Sequence, residues 1–222
     1  MPLSPGVRHT MRAPLATALA LAMTGGLLLG TAPVAAAAST GPVVPKLTWR
    51  SCGARMLCAT ARVPLDWSRP RGATIALALA KLPAKNRSKK IGTLFVNPGG
   101  PGGSGVDMMR ADPEALPASV RARFDVIGFD PRFVGSSRPM ASCMSDDPFM
   151  DFISSQPAFP VTDSQEAAFA AAQAGYAKRC DRRSYLKFAS TASVARDLDL
   201  LRRAVGDAKL TYVGYSLSLI HI

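Results

Sequence analysis

The chain has 222 residues, 27 Lys and Arg against 15 Asp and Glu, a formal charge of +12 and 48% hydrophobic residues. That apolar content excludes a disordered polyelectrolyte, and the length points to one domain with a sizeable core. The positive balance raises nucleic-acid binding as a class, but no aromatic residues interleave with the densest basic cluster to stack bases.

Arg8 and Arg12 precede an apolar Leu/Ala run from Leu15 to Leu29, and Ala35 to Ala38 offers A-x-A cleavage points. This is the pattern of a cleaved export signal over residues 1–38, followed by a secreted product of 184 residues and charge +10 once the two leader arginines are gone. A retained anchor is the alternative, since Leu15 to Ala38 approaches the ~20 residues of a membrane span. Pro33 and the small residues favour cleavage, so no stable membrane insertion is expected afterwards. No twin arginine precedes the run and no cysteine marks the cleavage region, so neither the twin-arginine route nor a lipid anchor is indicated.

Residues 39–90 read as an extension holding Cys52, Cys58 and one strand, Thr74 to Leu82, with turns at Pro64-Leu65-Asp66-Trp67, Pro70 and Gly72. Four cysteines in an exported chain suggest two disulfides; Cys52 with Cys58 and Cys143 with Cys180 is the preferred one of three pairings. Metal ligation is not expected, as no C-x-x-C spacing or nearby histidine accompanies them. Lys81, Lys85, Arg87, Lys89 and Lys90 form a solvated basic loop.

From 91 to 216 the pattern becomes strand, helix, strand, helix, strand. Gly92 to Val96 and Phe124 to Phe129 are buried strands, with helices around Val106 to Arg110 and after Pro117 between them. Ser136 to Pro160 reads as an irregular excursion and Gln165 to Cys180 as an Ala-rich helix. Val194, Leu198, Leu201 and Val205 mark the buried stripe of an amphipathic helix, with Asp197, Arg202 and Arg203 facing elsewhere and Gly206 as its stop. Leu210 to Val213 is a last short strand. This alternation predicts an α/β fold with a parallel sheet flanked by helices.

Two segments carry chemistry. Gly214-Tyr215-Ser216 directly follows a strand, the first half of a G-x-S-x-G nucleophile elbow, which makes Ser216 the candidate nucleophile. Asn97 to Gly105 packs five glycines into nine residues after another strand. Such a loop presents bare N–H groups, here from Gly99 and Gly100, that with the N–H of Leu217 would form an oxyanion hole. Gly100, Gly102 and Gly105 also satisfy the dinucleotide fingerprint G-x-G-x-x-G, with Asp130 as the ribose acid, but Pro98 and Pro101 remove donors and stiffen the turn. A P-loop fails because Val106-Asp107 stands where Lys-Ser/Thr is needed. Asp125, Asp130 and Arg132 read as sheet-end and loop-fixing residues, and Trp49 and Trp67 as packing residues.

The run Phe95 to Gly105 resembles the oxyanion loop of secreted actinobacterial tripeptidyl aminopeptidases and the related prolyl-aminopeptidase group of α/β hydrolases. Asp125 to Arg132 with Gly135, Ser136 and Ser137 resembles that group's D-x-R-G-x-G-x-S motif, in which Phe133 replaces the first glycine. Thr191 to Leu198 and Leu210 to Ser216 are similar to its approach to the nucleophile, and Trp49, Cys52, Cys58 and Pro64-Leu65-Asp66 also fit. The resemblance implies the N-terminal half of an α/β-hydrolase fold, an acyl-enzyme on Ser216, peptide substrates with a free N-terminus, and no cofactor or metal; an esterase, or a secreted binding protein without catalysis, is the rival. The triad histidine and aspartate of that group follow the elbow. The histidines here are His9, inside the leader, and His221, too close to the elbow to serve as base, so the 222-residue chain is expected to be inactive. Ser218 stands where the elbow calls for Gly, and residues 217–222 resemble the translation of a transposase adaptor used in DNA library preparation; they read as a foreign tail.

Overall fold

A computed structural model describes residues 40–53, 55–112, 116–180 and 183–218; the predicted signal segment lies outside them. Six strands form one sheet: β1 (Arg50–Gly53), β2 (Met56–Pro64), β3 (Thr74–Leu82), β4 (Gly92–Asn97), β5 (Phe124–Phe129) and β6 (Thr211–Gly214). Their spatial order is β1-β2-β3-β5-β4-β6. The pairs β5–β4 and β4–β6 are parallel, as the alternation predicts, but β1–β2, β2–β3 and β3–β5 are antiparallel. The parallel pairing expected from the alternation of residues 91–216 is thus seen in β4, β5 and β6, and the antiparallel pairs enter with β1 to β3, which precede that alternation. Tight turns there, closed by Leu65 N–H donating to the Ala73 carbonyl at 2.8 Å, return the chain antiparallel without a crossover helix.

The helices are α1 (Gly105–Ala111), α2 (Ala118–Arg123), α3 (Asp146–Ser154), α4 (Asp163–Cys180) and α5 (Thr191–Ala204). Ser104 and Ser190 cap α1 and α5, each accepting from the N–H three residues on. α3 falls inside the stretch read as irregular. Among the described residues no helix is long and apolar enough to cross a membrane.

Strand periodicity divides the core into two layers. Leu77, Leu79, Phe95, Ile127 and Phe129 pack with Leu198, Leu200 and Leu201 of α5. Leu94, Val96 and Val126 face the other way, onto Val106 and Met109 of α1. Each such large side chain contributes about 1.5–3 kcal/mol by leaving water. Helix α1 sits so close that a Cβ on Gly105 would overlap the backbone of Phe129. That contact fixes the glycine loop above the strand ends. Disulfides join Cys52 to Cys58 across β1 and β2, and Cys143 to Cys180 across the α3–α4 excursion.

Candidate active site

Parallel strands β4 and β6 end side by side, with Asn97 opposite Gly214. Their exits carry the glycine loop and the candidate nucleophile to the same edge of the sheet. Ser216 is exposed at the start of a 3-10 turn, Ser216–Ser218, with φ of +50°. A non-glycine residue at positive φ is uncommon and marks a backbone held by its surroundings. Here the hold comes from the neighbouring strand, because Tyr215 N–H donates to the Asn97 carbonyl at 3.1 Å.

Gly99 lies directly against this elbow. Its φ is +90°, and a Cβ there would overlap the Tyr215 carbonyl and stand 3.2 Å from Ser216 Cβ and 3.1 Å from Leu217 N. Only glycine permits both the dihedral and the approach. The structure thus brings Gly99, Ser216 and Leu217 together, with Gly100 next in the loop.

One predicted donor changes role. The Gly99 N–H donates to Asn97 Oδ1 at 2.8 Å, because an asparagine two residues earlier closes an Asx-type turn. Gly99 is accordingly a spacer rather than an oxyanion donor, which leaves Gly100 and Leu217 as the candidates. The Gly100 N–H has no hydrogen-bond acceptor among the described residues. Asn97 itself escaped the sequence reading. Buried to 7% exposure, it couples loop and elbow, its Oδ1 accepting from Gly99 N–H and its carbonyl from Tyr215 N–H; Ser218 Oγ, in the stretch read as a foreign tail, also donates to Oδ1 at 3.0 Å. A polar residue closing an apolar strand just before Pro-Gly was the available signal.

Asp130, fully buried, secures the far end of the glycine loop. Its carboxylate accepts from Ser104 Oγ at 2.6 Å, Val106 N–H at 3.0 Å and Ser136 N–H at 2.7 Å. Turned onto its own chain, it does not present the acid that a ribose would require. Arg132 is likewise internal: it pairs with both oxygens of Asp197, at 2.8 and 2.7 Å, and donates to the carbonyls of Pro64, Leu65 and Phe188. Asp197 was expected to face away from the core and instead is 1% exposed. Burial pushes its carboxyl upward, opposed by the Arg132 guanidinium and by the Trp67 indole N–H at 3.0 Å. Asp125 lies at the opposite end of the strands; burial raises its carboxyl, but Lys90 at 2.7 Å and the Ala84 N–H outweigh that and hold it below the usual carboxylate range. Trp49 packs under the Lys81 ammonium, 4.1 Å from the ring centroid.

Comparison with known proteins agrees with this geometry. The family model described as alpha/beta hydrolase fold matches residues 92–217, from the start of β4 through the elbow. Serine protease Hip1 of Mycobacterium tuberculosis is 42% identical over 163 residues, which cover 72% of this chain and 31% of that protein. Carboxylesterase B of the same species is 37% identical over 223 residues, covering 87% of this chain and 41% of the relative. Tripeptidyl aminopeptidase of Streptomyces lividans is 35% identical over 181 residues, covering 77% and 33%. The chain thus spans between 31% and 41% of the length of these relatives.

Proposed function

The chain belongs to the alpha/beta hydrolase fold family, and from that premise we propose that it is the nucleophile-bearing part of a secreted serine aminopeptidase that releases short N-terminal peptides through an acyl-enzyme. The observation that carries this reading is Ser216, exposed at positive φ with the Gly99 backbone seated against it. In the reaction Ser216 Oγ attacks the peptide carbonyl, a base takes its proton, and the oxygen's new negative charge is received by the N–H groups of Gly100 and Leu217. Each such preorganised donor is worth about 3–4 kcal/mol in the transition state. The base and its orienting acid belong after the elbow in the chain order of this fold. We therefore expect the 222 residues alone to be inactive, because a serine hydroxyl without a general base is a weak nucleophile.

Peptidase rather than esterase rests on the tripeptidyl aminopeptidase and protease relatives. The carboxylesterase relative, which matches 87% of the chain, supports the second reading: the same serine and donors acting on acyl esters. The test is to assay the gene product containing this segment on an unblocked tripeptidyl amide, its N-acetylated form and p-nitrophenyl butyrate. Release of the intact tripeptide from the unblocked amide alone is expected, with Ser216→Ala lowering kcat by about 10⁴-fold or more. Hydrolysis of the ester with neither amide cleaved selects the esterase. Unchanged turnover in Ser216→Ala rejects both.

A further inference from the structure

The end of the sheet remote from Ser216 has a constructed cationic face. Residues 85–91 contain Lys85, Arg87, Lys89 and Lys90 and no acid. This loop is fastened to the end of α2 rather than left loose: Lys85 N–H donates to the Arg121 carbonyl at 2.9 Å, Asn86 N–H to Ala122 at 3.2 Å and Ile91 N–H to Arg123 at 2.8 Å. Those bonds set Arg123 beside Lys89 and Lys90 around an open cleft of about 520 Å³, lined also by Ser88 and Ile91. Lys90 is paired with Asp125, whereas Arg87, Lys89 and Arg123 make no ion pair among the described residues. Ile91, 56% exposed, stands at the lip of this cleft.

We propose that this face docks on a bilayer through anionic lipid headgroups, with Lys89 and Arg123 gripping a headgroup phosphate, Arg87 adding long-range attraction and Ile91 meeting the acyl boundary. An open, shallow cleft, cations without ion-pair partners and one exposed aliphatic residue together fit a lipid surface. A nucleic acid would need stacking residues, and the loop contains none. The orientation follows from topology. The loop precedes β4 and the glycine loop follows it, so a six-residue strand, about 20 Å, separates the docked face from Ser216. Docking in this way leaves the candidate active site open to solvent. Among the described residues no helix is long and apolar enough to cross the bilayer, and the inference does not depend on the catalytic reading.

The test is co-sedimentation of the full chain with phosphatidylcholine vesicles, with and without phosphatidylglycerol, at two salt concentrations. Wild type and Arg87→Gln/Lys89→Gln carry the same apolar leader, so their difference belongs to the loop. Each surface cation is worth about fivefold in partitioning onto anionic membranes. The double variant should therefore bind phosphatidylglycerol vesicles about 25-fold less, bind phosphatidylcholine as before and keep its far-UV circular dichroism; salt should erase the wild-type preference. Equal partitioning of the two proteins onto phosphatidylglycerol, or tighter wild-type binding to a single-stranded oligonucleotide at the same salt, would overturn the proposal.

Discussion

Phe133 sits at φ of +69° and 3% exposure, at the position where the resembled motif has glycine. Left-handed backbone in a bulky residue costs on the order of 1–3 kcal/mol, comparable to what burying the ring returns. The ring packs 5.1 Å from Tyr185, so contact with the Ser184–Phe188 turn offsets the strain, and the loop keeps the shape that glycine would give it. Gly99 has no such exchange open to it, because no side chain fits between its Cα and the Tyr215 carbonyl. Gly99→Ala should destabilise the chain by about 2 kcal/mol, read as the shift in urea midpoint at constant slope. In the active gene product it should also lower kcat about 100-fold, since displacing the loop withdraws the Gly100 donor. An unchanged midpoint would mean that the loop is not seated on the elbow.

At the scale of elements, Arg132 and Asp197 join pieces that the strands leave separate. Five hydrogen bonds from one guanidinium reach α5, the exit of β2 and the Ser184–Phe188 turn. Arg132→Met strands a buried carboxylate and should cost about 3–5 kcal/mol in urea unfolding. Arg132→Lys should lose most of the same amount, because a single ammonium cannot replace a planar fork serving three carbonyls and both oxygens of the carboxylate. Full retention of stability by the lysine variant would show that charge alone suffices there. The pair also marks where sequence reading stopped. Asp197 lies three residues after Val194 and four before Leu201, on the buried stripe by period, yet its charge argued for solvent; its partner is 65 residues away. Strands such as Thr74–Leu82 and Phe124–Phe129 were legible to their ends because turn residues bound apolar runs. Helix α3 was not, since the prolines and serines of its stretch dominate local propensity, and the antiparallel first half depends on pairing that local pattern does not encode. At the site, the Gly-rich loop and Ser216 declare themselves by composition and position. Asn97 is signalled locally only as a polar residue closing an apolar strand, and that its carbonyl receives the Tyr215 N–H of the elbow depends on strand pairing that no local pattern announces.

Across the whole molecule the two sheet edges are treated unlike one another. β1 is four residues long, bulged between Ser51 and Gly53, and cross-linked to β2 beside Cys58, features that blunt an edge against pairing with another chain. β6 pairs only with β4 and has no such protection among the described residues. Leu210, Tyr215 and Leu217 around it are 43%, 40% and 42% exposed, so apolar surface accompanies the open edge. Parallel strands of this kind are ordinarily covered on both faces. The 222-residue chain is therefore expected to self-associate through β6, seen in sedimentation velocity as species that grow with concentration. Pairing there would also bury the ground around Ser216. Limited proteolysis around Tyr215 should accordingly slow as concentration rises, while cutting in the α3–α4 excursion, at the far side of the disulfide, stays constant. A monodisperse monomer with one cooperative melting transition would show instead that this edge is stable in water, and would favour the secreted binding protein over the catalytic reading.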